Sequence, residues 1–208
     1  NEGEFIDINN GISVLRMMRK LASLVPEDCL SMNPINVLDY MSMNEDKVYC
    51  PILYGYSNYS RIGFRKSLIK FTNIPSFNDE KNNCKGSQIG GTGLALSSNS
   101  KFKEIAMDYA FYTASENCQK DLYYFSGGQP GHIKAWENKK INQDCNNFFE
   151  DTLETLQKAW LRPRYDGYMY FQDVGGTIVN KYLHYGENEL SVVDNLRKEF
   201  EKSFYVNK

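Results

Sequence analysis

Apolar residues return at helical spacing along most of the chain. Val14, Leu15, Met18, Leu21, Ala22 and Val25 stand three and four apart between Asn10-Gly11 and Pro26, which predicts a first helix. Asn33-Pro34 offers an N-cap and a proline at the first helical position, followed by Ile35, Leu38 and Met41 on one face. Val48 to Tyr54 reads as a strand that runs into the aromatic stretch YGYSNYSR. Residues 76–86, SFNDEKNNCKG, read as a polar loop, and Leu94-Ala95-Leu96 as the centre of a second strand at 94–97. From about Lys101 a helix is expected to bury Phe102, Ile105, Ala106, Tyr109, Ala110 and Thr113. A glycine loop, FSGGQPGH, spans 125–132.

The rest of the pattern is helical. Phe148 or Phe149, Leu153, Leu156, Ala159 and Trp160 form one stripe, closed by the proline of LRPRYDGY. Phe171, Val174, Ile178 and Tyr182 form another, ended by Gly186. Ser191 is expected to cap the last helix, which carries Val193, Leu196, Phe200 and Phe204. The expectation is a helix-rich α/β chain. Two or three strands are too few for an independent sheet under so many helices, so either the sheet is small or further strands are expected outside this sequence.

Composition narrows this picture. At 208 residues the chain has room for one large domain or two small ones. The net charge is -2 with both signs interspersed, which gives no basic footprint for nucleic acid or an anionic membrane. No apolar stretch approaches the roughly 20 residues of a membrane span, so the expectation is a soluble chain. The opening NEGEFIDINNG is acidic and polar and does not read as a signal peptide. Five cysteines (Cys29, Cys50, Cys84, Cys118, Cys145) show no CxxC, and two histidines complete no zinc spacing. They read mainly as small buried apolar residues, and neither metal nor cofactor is expected. The aromatic share is 14%, with 15 Tyr, 12 Phe and 2 Trp. Tyrosine joins an apolar face to a polar tip, which suits cores, interfaces and sugar-binding clefts alike.

The segment GSQIGGTGLALSSNSKFKEIAMDYAFYTAS, residues 86–115, sets glycines beside an apolar run and a helix. A phosphate cradle needs strand, glycines and helix in that order. Here Gly90, Gly91 and Gly93 precede the strand-like run, and neither Gly-Lys-Ser/Thr nor GxGxxG is complete. The glycines need another role.

That segment, with EDKVYCPILYGYSNY before it and FQDVGGTIVNKYLHYGENELSVVDNLRKEF after it, resembles the family 1 extracellular solute-binding proteins. These are the substrate-capturing receptors of ABC importers, many of them specific for carbohydrates. The resemblance covers most of this chain but only the C-terminal half to two-thirds of a typical member. It implies a hinge-bending, two-lobe fold of the type II periplasmic-binding-protein kind. Residues 1–89 would be part of lobe 2, 90–127 a crossover contributing to lobe 1, and 128–208 the helical return to lobe 2. Gly90, Gly91 and Gly93 would then mark the crossover, where a bend and close approach to the cleft favour residues without Cβ. The implied partners are a sugar, a membrane permease and a first lobe outside this sequence. The implied location is extracytoplasmic, in the periplasm or anchored at the cell surface.

The resemblance also directs attention to three stretches. Tyr54, Tyr56, Asn58 and Tyr59 follow a strand where the family places a cleft aromatic; sugars stack their C–H faces on such rings. The competing reading is that alternate tyrosines simply pack in the core. Asn58-Tyr59-Ser60 also matches a glycosylation sequon. Gln129 and His132 sit in the second glycine loop with Trp136 just beyond, His132 competing with a helix-start role and Trp136 with a core role. Arg164, Tyr168 and Gln172 lie where the last cleft segment is expected, Arg164 offering a fork of donors unless Asp166 engages it. A glycoside hydrolase needs two carboxylates across a cleft, and Asp166, Asp173 and Glu187 show no spacing that marks a pair. An orphan interaction domain is the remaining alternative.

Overall fold

A computed structural model describes residues 5–44, 48–75 and 86–206. The described residues are helix-rich and divide into two compact units, Asn1–Asn33 with Pro163–Lys208, and Pro34–Arg162. The expected polar loop at 76–86, apart from Gly86, and Cys84 lie outside the described residues.

The first unit is built from three long helices. Helix α1, Ile8–Ala22, starts where the Asp7 side chain accepts from Asn10 N at 2.9 Å. Its last turn carries Arg19 and Lys20, favourable at the negative end of the helix dipole. Leu15 packs with Tyr182, Val192, Val193 and Leu196 from the other two helices, but it is the only buried member of the stripe read from the sequence: Val14, Met18, Leu21 and Val25 are exposed, and Ile8 and Ile12 pack beside Leu15 instead. A short 3₁₀ turn, Glu27–Ser31, follows Pro26.

The second unit contains α2 (Pro34–Met43), α3 (Lys103–Ala114), α4 (Glu116–Cys118), a π-turn at Gln119–Tyr123, α5 (Ile133–Trp136), α6 (Lys139–Asp144) and α7 (Phe148–Gln157). Its main core gathers Tyr124, Ala135, Trp136, Ile141, Cys145, Phe148 and Phe149. A smaller cluster holds Leu38, Tyr59 and Ile69, and Phe71 packs against both. The α6–α7 turn is made by Asn146 and Asn147 at φ 51° and 60°, a left-handed pair that asparagine tolerates better than most residues. Asn142 ties this turn down, donating to Trp136 O at 2.7 Å and accepting from Glu150 N at 2.9 Å.

Back in the first unit, α8 (Tyr168–Tyr185) and α9 (Glu189–Ser203) form an antiparallel pair joined at Gly186. Asn188, not Ser191, caps α9, its side chain accepting from Ser191 N at 3.2 Å. Gly167 precedes α8 at φ 103°, and a Cβ there would stand 1.9 Å from Ser203 O, so only glycine lets α9 come this close. Phe5, Phe171 and Phe200 complete the aromatic end of this unit with ring centroids 4.9–5.2 Å apart.

Three expectations need correction. The described residues form no β-strand: 48–54 and 94–97 are irregular, and the nearest approach to a ladder is one parallel bridge between Gln88 and Trp160. A short apolar run needs a neighbour to pair with before it is a strand, and neither segment finds one among the described residues. The helix at 101 does form, as α3, but none of its residues is buried; Phe102, Ile105 and Tyr109 are 66–70% exposed. Trp160, expected in an apolar stripe, is half-exposed because α7 has ended before it.

Candidate ligand-binding site

Two irregular segments of the second unit, residues 54–61 and 124–132, are locked to each other by side chains. The chain at 57–60 turns once in 3₁₀ form, Ser57–Ser60, which places Ser57 and Ser60 inside. Gln129 reaches across from the glycine loop, its Oε1 accepting from Ser57 N at 2.8 Å and its Nε2 donating to Gly55 O at 3.3 Å. Asn58 returns the contact, donating to Gly127 O at 3.2 Å. Arg61 lies flat on the Tyr124 ring, 3.8 Å from its centroid, and donates to Tyr124 O at 3.1 Å and Gly128 O at 3.4 Å. From the far side, Gln119 Oε1 accepts from Gly131 N at 2.8 Å. Five hydrogen bonds from three side chains, Gln129, Asn58 and Arg61, hold the two segments in one conformation, each worth about 1 kcal/mol where shielded from water.

Tyr54 and Tyr56 project from this braced loop with 43% and 41% of their surface exposed. The Tyr54 ring lies over Gly90, where a Cβ would meet it at 3.2 Å, and the Tyr54 hydroxyl accepts from Gln88 Nε2 at 2.6 Å. Ser57 Oγ, Asn58 Oδ1 and Arg61 Nε are buried here without a hydrogen-bond partner among the described residues. Unpaired buried polar atoms cost roughly 1–3 kcal/mol each, and such deficits concentrate where a structure serves a ligand.

The electrostatics beneath the loop are settled internally. Tyr59 donates to Asp39 Oδ1 at 2.8 Å, and Arg65 Nε donates to the same oxygen at 2.8 Å. Those two hydrogen bonds, Arg65 first, hold the Asp39 carboxyl below the usual carboxylate range. Burial, then the Asp39 bond, pushes the Tyr59 phenol up. Burial does the same to Tyr124, whose hydroxyl donates to Asp144 Oδ2 at 2.7 Å.

Sequence-derived site residues therefore separate into groups. Tyr54, Tyr56, Asn58, Gly90 and Gln129 come together, with Asn58 and Gln129 as braces. Tyr59 is corrected to the core, since its ring is buried beside Leu38 and its hydroxyl is spent on Asp39. Trp136 is likewise core, its Nε1 donating to Pro130 O at 2.7 Å. His132 opens α5, its Nδ1 accepting from Lys134 N at 3.2 Å, which is the helix-start role. Gly91 is exposed with nothing within 4 Å of a Cβ, and Gly90, Gly91 and Gly93 all keep negative φ. The sequon is closed: Ser60 is buried, and the Asn58 amide faces Gly127. Arg164, Tyr168 and Gln172 belong to the other unit, where Arg164 is exposed and Tyr168 packs edge-on to Tyr165 at 5.7 Å.

Reading the sequence missed Arg61 and Gln119. Both lie within stretches that it singled out, but nothing local tells that Arg61 meets Tyr124, 63 residues on. Among the described residues no group of His, Cys, Asp and Glu could hold a metal ion, and no helix is long and apolar enough to cross a membrane. Cys118 and Cys145 are buried, as small apolar residues should be, while Cys29 and Cys50 are half-buried. No protein-family model, curated protein or solved structure matches the chain.

Proposed function

We propose that this chain is the C-terminal portion of a carbohydrate-binding receptor of an ABC importer, with a type II two-lobe architecture completed by a first lobe. The sequence resemblance motivates the reading, and one observation carries it: two half-exposed tyrosines on a loop braced by Gln129, Asn58 and Arg61. A braced platform keeps its rings in place without ordering cost at the moment of binding. Rings at Tyr54 and Tyr56 take the C–H face of a sugar, and the phenol and amide groups around them take its hydroxyls. Capture between lobes then favours the closed form, which docks on the permease, and no turnover follows. This function places the protein outside the cytoplasm.

Thermal unfolding with a panel of mono- and oligosaccharides tests the proposal. A ligand at roughly 100 times its Kd stabilises by about 2.7 kcal/mol, a plain rise in Tm. Tyr56→Ala is expected to weaken that binding at least about tenfold while leaving the ligand-free Tm nearly unchanged, since the ring is not core. A panel that moves nothing, or hydrolysis of a chromogenic glycoside, sinks the receptor reading.

A further inference from the structure

We infer that the braced loop encloses a binding site for one neutral, hydroxyl-sized guest, a water molecule, held jointly by Ser57 Oγ, Asn58 Oδ1 and Arg61 Nε. The inference does not rest on the sugar reading. Among the described residues, these three buried atoms without a hydrogen-bond partner all belong to the 3₁₀ turn Ser57–Ser60 and the residue after it. They also belong to residues that meet the same stretch of the glycine loop. Side chains three apart in a 3₁₀ turn eclipse one another, so Asn58 and Arg61 leave the chain on one side. Asn58 Nδ2 donates to Gly127 O at 3.2 Å, and Arg61 donates to the neighbouring Gly128 O at 3.4 Å. Ser57 is joined to the next residue, its N donating to Gln129 Oε1 at 2.8 Å. Residues 57, 58 and 61 thus meet the consecutive residues 127–129, and each keeps one polar side-chain atom unspent.

The chemistry of the unspent atoms selects the guest. The Asn58 amide cannot be turned over, because its oxygen would then face the Gly127 carbonyl, so Oδ1 is an acceptor. Arg61 Nε–H only donates, and the Ser57 hydroxyl does either. An anion would meet the Asn58 oxygen and a cation the Arg61 guanidinium, so neither suits all three. A water accepts from Arg61 and from Ser57 and donates to Asn58. The three atoms are shut off from solvent, which restricts the guest to something small. A water needs only about one probe sphere of room, and about three bonds to otherwise unpaired buried groups is its usual share. It adds a solvent-mediated link to the direct hydrogen bonds that join the two segments.

A crystal structure of the full chain that resolves waters, with Ser57→Ala melted beside the wild type, tests this. The expected result is one ordered water at about 2.7–3.2 Å from Ser57 Oγ, Asn58 Oδ1 and Arg61 Nε. Ser57→Ala is then expected to lower Tm, because it strips a partner from the bound water. Were Ser57 Oγ a true orphan, the same change would remove an unsatisfied buried group and raise Tm. Circular dichroism should show an unchanged fold, since the variant deletes a single oxygen. A raised or unmoved Tm, no density between the three atoms, an ion in place of the water, or direct pairing of the three with protein groups would overturn the inference. Sugar titration of the wild type reads the receptor proposal separately.

Discussion

Helices α3 and α7 belong to one unit and have similar lengths, 12 and 10 residues, but opposite fates. In α7, Phe148 and Phe149 are buried at the head of the helix against Trp136, with ring centroids 6.5 Å and 4.9 Å away. In α3, Phe111 and Tyr109 point at solvent. The apolar content of α3 is no lower. What differs is the neighbourhood: α5, α6 and the turn at Asn146-Asn147 fold back on α7, whereas α3 lies chiefly against α4 and the π-turn that follow it. A stripe of apolar residues specifies a face; it does not supply the surface that face needs.

The sharpest way to press this contrast is at Phe149. Phe149→Ala is expected to destabilise the second unit by about 3–5 kcal/mol, since the cavity lies among rings that cannot collapse into it. Chemical denaturation should show this as a lower midpoint with little change in slope. Tyr124→Phe removes the bond to Asp144 but keeps the ring under Arg61. A loss of about 1–2 kcal/mol is expected by the same measurement, because the carboxylate is left without that donor. Phe111→Ala should change stability by no more than about 0.5 kcal/mol, since the ring is exposed. A loss comparable with Phe149→Ala would mean that α3 is packed after all.

Acid provides a finer probe of the same unit. Because the folded-state value of Asp39 lies below its ordinary 3.8, the Asp39–Arg65–Tyr59 group stabilises the fold above that value. The contribution is lost as pH falls through the lower, folded value. Tm measured against pH should therefore drop on the acid side, and Asp39→Asn should flatten that limb. An unchanged acid limb would show that the carboxylate contributes nothing there, which partial solvent exposure of the pair makes a small effect in any case.

Much of the helical architecture was legible. The presence of α1, the proline at the start of α2, the α7 aromatics and the Gly186 stop all follow from spacing and capping chemistry that act within a turn or two. The misses share a cause. The runs at 48–54 and 94–97 are apolar like buried strands, but a strand exists only with a partner, and no local rule reveals whether one is present. At the candidate site, Tyr54 and Tyr56 could be named from the sequence, while the burial of Tyr59 could not. Three tyrosines in YGYSNY look alike until the 3₁₀ turn at Ser57–Ser60 rotates one of them inward, against Leu38.

The sequence by itself determined where the longer helices lie, because caps, prolines, glycines and apolar periodicity are short-range properties. It also determined that the chain is rich in rings looking for a surface. Only the tertiary structure decided which rings found one. Gln129 meets Ser57 and Arg61 meets Tyr124 across more than sixty residues, and those pairings depend on chain closure that no local pattern encodes. The same closure buried Phe149 and left α3 bare, since burial is a property of what lies opposite and not of the residue alone.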